Sequence, residues 1–168
     1  MEILQHKIEG WDQKSAEAIR EIYDQHHLDN GFTADTIELI ASRSAESGAT
    51  WLLKENFERG NMLTTEETHQ LFLNLPALHQ WSSKLHILQC LPYLQINSED
   101  KARVELFIRE CLLEKNKFVR AWAYNGFYLL GQQHQEYQQE ASKLLEVALE
   151  IEAPSVKARI RNLLKDSG

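Results

Sequence analysis

The chain is poor in the residues that staple, turn or anchor other kinds of protein. Only two of its 168 residues are cysteine, Cys90 and Cys111. Nothing resembles a CxxC pair, so a disulfide framework is excluded and two buried, reduced thiols are expected. Three prolines and seven glycines are too few for an all-β chain, which needs a turn about every 8–12 residues. No apolar run exceeds four residues, against the roughly 20 that a bilayer-spanning helix requires. The opening MEILQHKIEGWDQK has no basic stretch followed by an apolar block, so no secretory signal is expected and a cytoplasmic protein is. Bases are also in deficit, 18 against 25 acids, which argues against a generally basic nucleic-acid coat. At 43% hydrophobic residues the chain is too apolar for low-complexity disorder.

What is present is helical period. Ile8, Trp11, Ala18, Ile19, Ile22 and Tyr23 recur at three- and four-residue spacing and predict one amphipathic helix stopped by Asn30-Gly31. Asp35 with Glu38 reads as a capping box, and Gly48 as the break before a second helix over 49–59 that Gly60-Asn61 ends, one long bent helix over 35–59 being the alternative. Thr64 with Glu67 is a further capping box, opening a helix that stops near Pro76. Ser82 or Ser83 is expected to cap a helix running through a kink at Pro92 to about residue 95. Ser98 opens 99–115, Gly131 ends 117–131, and helices over 136–151 and 154–166 follow, the last with Pro154 in its first turn. No segment alternates as a strand does. The expectation is about nine helices, all-α, in a single domain over 1–168.

The second helix of each pair repeats. Ala49, Leu53 and Phe57 align with Ser83, Ile87 and Leu91, then Val119, Ala123 and Phe127, then Val156, Ile160 and Leu164, at offsets of 34, 36 and 37 residues. Such a period with two helices per unit signals an α-solenoid, in which each unit buries its stripe against its neighbours. Trp11, Trp51 and Trp81 are expected in the core.

The run KFVRAWAYNGFYLLG at 117–131 resembles the second helix of a HEAT repeat: Val119-Arg120 at the start, Ala123 as the small residue, Leu130-Gly131 at the end. Ser155-Val156-Lys157-Ala158-Arg159 is similar to a shortened version. Leu91-Pro92-Tyr93-Leu94 is similar to the proline-kinked helix of such repeats but falls in the other helix of its pair. The resemblance covers 65–168 well and 33–60 weakly, leaving 1–60 as an N-terminal capping part. It implies a right-handed α-α superhelix of about four helix pairs plus an N-terminal helix, and an ion pair of Glu114 with Arg120.

Charge is uneven. Residues 1–75 hold 14 acids and 6 bases, whereas 76–168 hold 11 acids and 12 bases. Segments 82–95 and 117–131 contain Lys84, Lys117 and Arg120 and no acid, and the last helix adds Lys157, Arg159, Arg161 and Lys165 against Asp166. If the second helices line one wall, that wall is basic and attracts an anionic partner. A stripe of aromatic and amide residues accompanies it: His86, Gln89 and Tyr93, then Trp122, Asn125 and Leu129, then Arg159 and Asn162. The candidate binding set is therefore Lys84, His86, Gln89, Tyr93, Arg120, Trp122, Asn125, Lys157, Arg159 and Arg161. Packing of Trp122 and Tyr93 between repeats is the competing expectation.

Catalytic and metal chemistry have little support. The seven histidines include His26-His27, His79, His86 and an i, i+3 pair of Glu66 with His69, but no HExxH and no Cys/His cluster, so no metal or cofactor is expected. One class of DNA glycosylases is built of HEAT-like repeats with an acid and aromatics on the concave wall. Arg120, Trp122 and Tyr124 resemble part of that wall, but its carboxylate is missing from 82–95 and 117–131. The expected function is a non-catalytic module that binds a protein or peptide with an acidic stretch. Nucleic-acid binding related to those repair proteins is the alternative, and no membrane partner is expected.

Overall fold

The computed structural model describes residues 1–167, and among these every regular element is helical. Ten α-helices run in chain order: α1 Glu2–Glu9, α2 Ala16–His26, α3 Phe32–Leu39, α4 Glu46–Glu58, α5 Thr65–Leu73, α6 Trp81–Cys90, α7 Lys101–Leu112, α8 Lys117–Gln133, α9 Gln138–Ile151 and α10 Pro154–Asp166. Short 3-10 turns cover Leu75–Ala77, Leu91–Tyr93 and Gln135–Tyr137. The chain condenses into two compact units, residues 1–94 and 95–168.

Local chemistry explains most boundaries in the first unit. Asp12 takes the backbone N–H groups of Lys14 and Ser15, both at 2.9 Å, and Ser15 then caps α2 at Ala18. These bonds break the expected single helix into α1 and α2. Gly31, at φ 83°, is the N-cap of α3 and not the stop of α2. Asp35 therefore lies inside α3, where it pairs with the terminal amine, and forms no capping box with Glu38. The Thr64–Glu67 capping box is present in both directions. Gly48 does not separate two helices; it lies inside α4 because α1 crosses there.

The α6 start differs from expectation for a tertiary reason. Neither Ser82 nor Ser83 caps it. The carboxylate of Glu46, only 1% exposed, accepts the N–H groups of His79 and Gln80 at 2.8 and 2.9 Å. A residue 33 positions upstream thus does the work of a local cap. Pro92 ends α6 instead of kinking it, since the α-helix stops at Cys90 and continues only as a 3-10 turn.

In the second unit Asn116 caps α8 through the N–H groups of Phe118 and Val119. Gly131 is interior to α8 and lets the start of α9 approach: a Cβ there would stand 3.1 Å from the Gln138 backbone. Helix α8 packs against α7, α9 and α10 and is the centre of this unit. In the first unit α3 packs on α4 and α5, and α4 on α6. Helices thus meet both their immediate neighbour and the next but one.

The repeating stripe is the core. Eleven of its twelve residues are buried, from Ala49 through Ile160; Leu164, in the last turn of α10, is half exposed. Within each unit, side chains also bond across a similar separation. Thr50 meets His86 and Ile37 meets Asn74, at 36 and 37 residues. Arg109 meets Glu140 and Gln133 meets Ile96, at 31 and 37. Cys90 and Cys111 are buried free thiols, and burial pushes the Cys90 thiol up.

Two stability outcomes follow. Phe127 is fully buried, edge-on to Tyr137 and under the Arg109 guanidinium at 4.9 Å. Phe127→Ala should lower the unfolding free energy by about 3–5 kcal/mol in urea denaturation. A Cβ at position 48 would lie 2.5 Å from Cγ2 of buried Ile8. Gly48→Ala should therefore destabilise by about 1–2 kcal/mol, overpacking outweighing the helix-propensity gain of about 1 kcal/mol. In an Ile8→Ala background the same change should stabilise, and unfolding midpoints of the four proteins check the reversal.

Candidate functional site

The expected binding residues divide between the two units. In the first, Lys84, His86 and Gln89 are half-buried on α6, and Tyr93 is exposed just beyond it. His86 bonds Thr50 on α4 through Nδ1 at 3.0 Å. Desolvation, with Lys54 adding to it, pushes the imidazole down to about 4, so His86 is neutral at pH 7 and adds no charge to a basic wall. Tyr93 stacks face to face on buried Phe57 at 5.4 Å, which leaves its other face outward.

In the second unit the set does not form one wall. Arg120 is spoken for: its guanidinium holds the Glu152 carboxylate at 3.0 Å and donates to the backbone carbonyls of Glu114 and Lys115. Its acid partner is thus Glu152, and residue 114 contributes its carbonyl to this grip. Tyr124 joins through its hydroxyl, 3.0 Å from Glu152. Burial and the bond to Glu152 push that phenol up to about 12, while the Arg120 bond holds the Glu152 carboxyl below its ordinary value. This is a half-buried charge network that ties the α7–α8 turn to the α9–α10 turn, not an open anion site.

Asn125, expected on the binding stripe, is 5% exposed. Central α8 is covered on several sides, and residues 123–127 are all buried. Lys157 and Arg159 also part company. Two residues on a helix lie about 160° apart, so Arg159 faces away from Lys157 and Arg161. Lys157 donates to the Glu150 carbonyl, whereas Arg159 lies over the Trp122 ring at 4.1 Å. Arg161 is exposed on the Lys157 side.

What the fold does bring together is Trp122 with Arg159, and one turn back on the same α8 stripe Phe118, 52% exposed, with Lys117 over its ring at 5.5 Å. Phe118 was legible as the i−4 neighbour of Trp122 but was missed because the stripe was begun one turn too late. The three other tryptophans do not sit in the core. Trp11 and Trp51 are half-buried, Trp81 is 51% exposed, and all three line an open cleft of about 590 Å³ in the first unit.

No family model matches the chain, and no curated protein or solved structure matches it either. The residues themselves define an all-helical protein in which, among those described, no helix is long and apolar enough to cross a membrane.

The Arg120 network gives a pH-dependent outcome. Arg120→Met takes from Glu152 its cationic partner, leaving it the Tyr124 hydroxyl, and removes the donor of two carbonyls; it should cost about 1–3 kcal/mol at pH 7. Because the folded Glu152 value is depressed, the pair's contribution is complete above the ordinary carboxylate value and is lost as pH falls through the depressed one. The gap between the urea midpoints of wild type and variant should therefore be widest at neutral pH and narrow as pH falls below the ordinary carboxylate value of about 4.3, leaving the part that the two carbonyl bonds contribute. A gap that does not change with pH would contradict this role for the ion pair.

Proposed function

We propose that the chain is a non-catalytic interaction module, a right-handed solenoid of HEAT-like helix pairs, that holds an acidic segment of a protein or peptide on the α8/α10 face of its second unit. The helix-to-next-but-one packing within each unit and the buried stripe support the repeat reading. The observation that carries the binding reading is the Trp122–Arg159 stack beside Phe118 and Lys117, on a helix that contains no acid. The aromatic faces supply desolvated contact area. The two cations, already lying over rings, lose little freedom when they meet a carboxylate. The buried free thiols favour a reducing, cytoplasmic setting.

Nucleic acid would use the same cations. With Arg120 paired to Glu152 and Arg159 opposed to Lys157 and Arg161, few charges on this face remain to track a phosphate backbone, and the chain's net charge is -7. A peptide partner is the better fit.

A fluorescein-labelled glutamate-rich peptide tests the reading. Phe118→Ala and Arg159→Ala should each weaken its binding roughly tenfold, about 1.4 kcal/mol, with thermal midpoints within a few degrees of wild type. Trp122→Ala should weaken it at least as much, and Lys157→Ala and Arg161→Ala by less than threefold. Equal losses from Lys157→Ala and Arg159→Ala would return the site to a diffuse basic surface. A steep salt dependence with oligothymidylate bound more tightly than the peptide would favour nucleic acid.

A further inference from the structure

The first unit carries a second surface that the α8/α10 face does not explain. Three of the protein's four tryptophans meet at one cleft, and core packing does not account for them: Trp81 exposes half its surface, and Trp11 and Trp51 are only half covered. One side is the α1–α2 connection, another the start of α6, and α4 contributes Ser47 and Trp51 between them.

Hydrogen bonds tie the walls of the cleft together. Asp12 clamps the N–H groups of Lys14 and Ser15, and the Trp11 indole N–H donates to the Ser15 carbonyl at 2.8 Å. Between them Gln13 is held at φ 59°, the left-handed region that a side-chain-bearing residue occupies at a cost. Across the cleft, Ser47 bonds Ser82, tying α4 to α6. Strain at an exposed glutamine, maintained by surrounding bonds, marks a loop shaped for something other than stability.

The chemistry of the lining selects the ligand. Its formal charges are one acid, Asp12, and one base, Lys14. A cationic ligand is disfavoured, because Arg20 already lies over the Trp51 ring at 5.6 Å and Lys14 stands in the wall. Two groups on the lining can only donate hydrogen bonds, the Lys14 ammonium and the Trp81 indole N–H. Asp12 Oδ1 is spent on two backbone N–H groups, and Ser47, Ser82 and His86 are engaged with one another's helices. The amides of Gln13 and Gln80 can donate to a ligand as well as accept from it. A ligand rich in carbonyls and poor in N–H suits this set. A polyproline II segment is such a ligand: it lacks internal hydrogen bonds, its carbonyls are solvated, and its rings pack on indole faces. We infer that the tryptophan cleft formed by Trp11, Trp51 and Trp81 is a docking site for a proline-rich peptide in the polyproline II conformation.

An array of proline-rich decamers with the PxxP spacing, the intervening and flanking positions varied, tests this against decamers with alanine in place of each proline. The 168-residue chain should bind members of the proline set at least tenfold more tightly than their alanine partners. Trp81→Ala should remove that preference while leaving the thermal midpoint within a few degrees. Gln13→Gly, which relieves the positive φ and deletes one amide, should weaken binding while raising the midpoint. Trp122→Ala should leave the proline preference intact, and Trp81→Ala should leave binding of the glutamate-rich peptide intact, so the two surfaces stand or fall separately. Equal binding of proline and alanine decamers, or a preference that survives Trp81→Ala, would overturn the inference. So would oligothymidylate binding that Trp81→Ala abolishes in the absence of any proline preference.

Discussion

A helix with one apolar stripe gains nothing from folding until another surface covers that stripe. Every second helix here carries such a stripe, spaced near 35 residues, and the arrangement inside each unit answers that constraint. In the first unit α4 is covered by α3 and α6, and in the second α8 by α7, α9 and α10. At roughly 1.5–3 kcal/mol per large buried side chain, residues such as Leu53, Ile87, Phe127 and Ile160 supply the dominant favourable term in folding. Other features follow as conditions for that contact. Gly48 admits Ile8, Gly131 admits the start of α9, and Glu46 satisfies the backbone where the chain turns into α6.

The same constraint decides which charges remain available. Arg120 sits on a helix without acids, yet it is neutralised by Glu152, brought in by the approach to α10. A lone guanidinium largely removed from water would be costly, and three acceptors make it tolerable. Arg109 is treated alike, between Glu105 and Glu140. Charge counted along a helix therefore overstates the charge that a partner meets.

Aromatic exposure is the counterpart. Tyr23, Phe57, Phe72 and Phe127 are fully buried and structural. Trp81, Phe118 and Trp122 keep exposed or half-exposed rings. Cations over Trp51, Phe118 and Trp122 soften the exposure of those rings without covering them. The two surfaces, one in each unit, differ in the charge that lines them.

The all-helical class, the repeating stripe, the Thr64 capping box, the C-terminal helix pair and the buried thiols were legible along the chain, because each depends on residues close in sequence or on a period. The missed boundaries arose from polar side-chain bonds, some local and some from distant residues. Asp12 and Ser15 divided the first helix by local bonds that its apolar spacing concealed. Glu46 replaced a serine cap from 33 residues away. Of the candidate wall, Trp122 and Arg159 do meet, while Asn125 is buried by the convergence of helices on α8 and Lys157 points to the other flank. The tryptophan cleft was invisible, since its three rings come from residues 11, 51 and 81 and only packing unites them. Helical period sets which residues share a face, but the packing of helices distant in sequence sets which of those faces meet water.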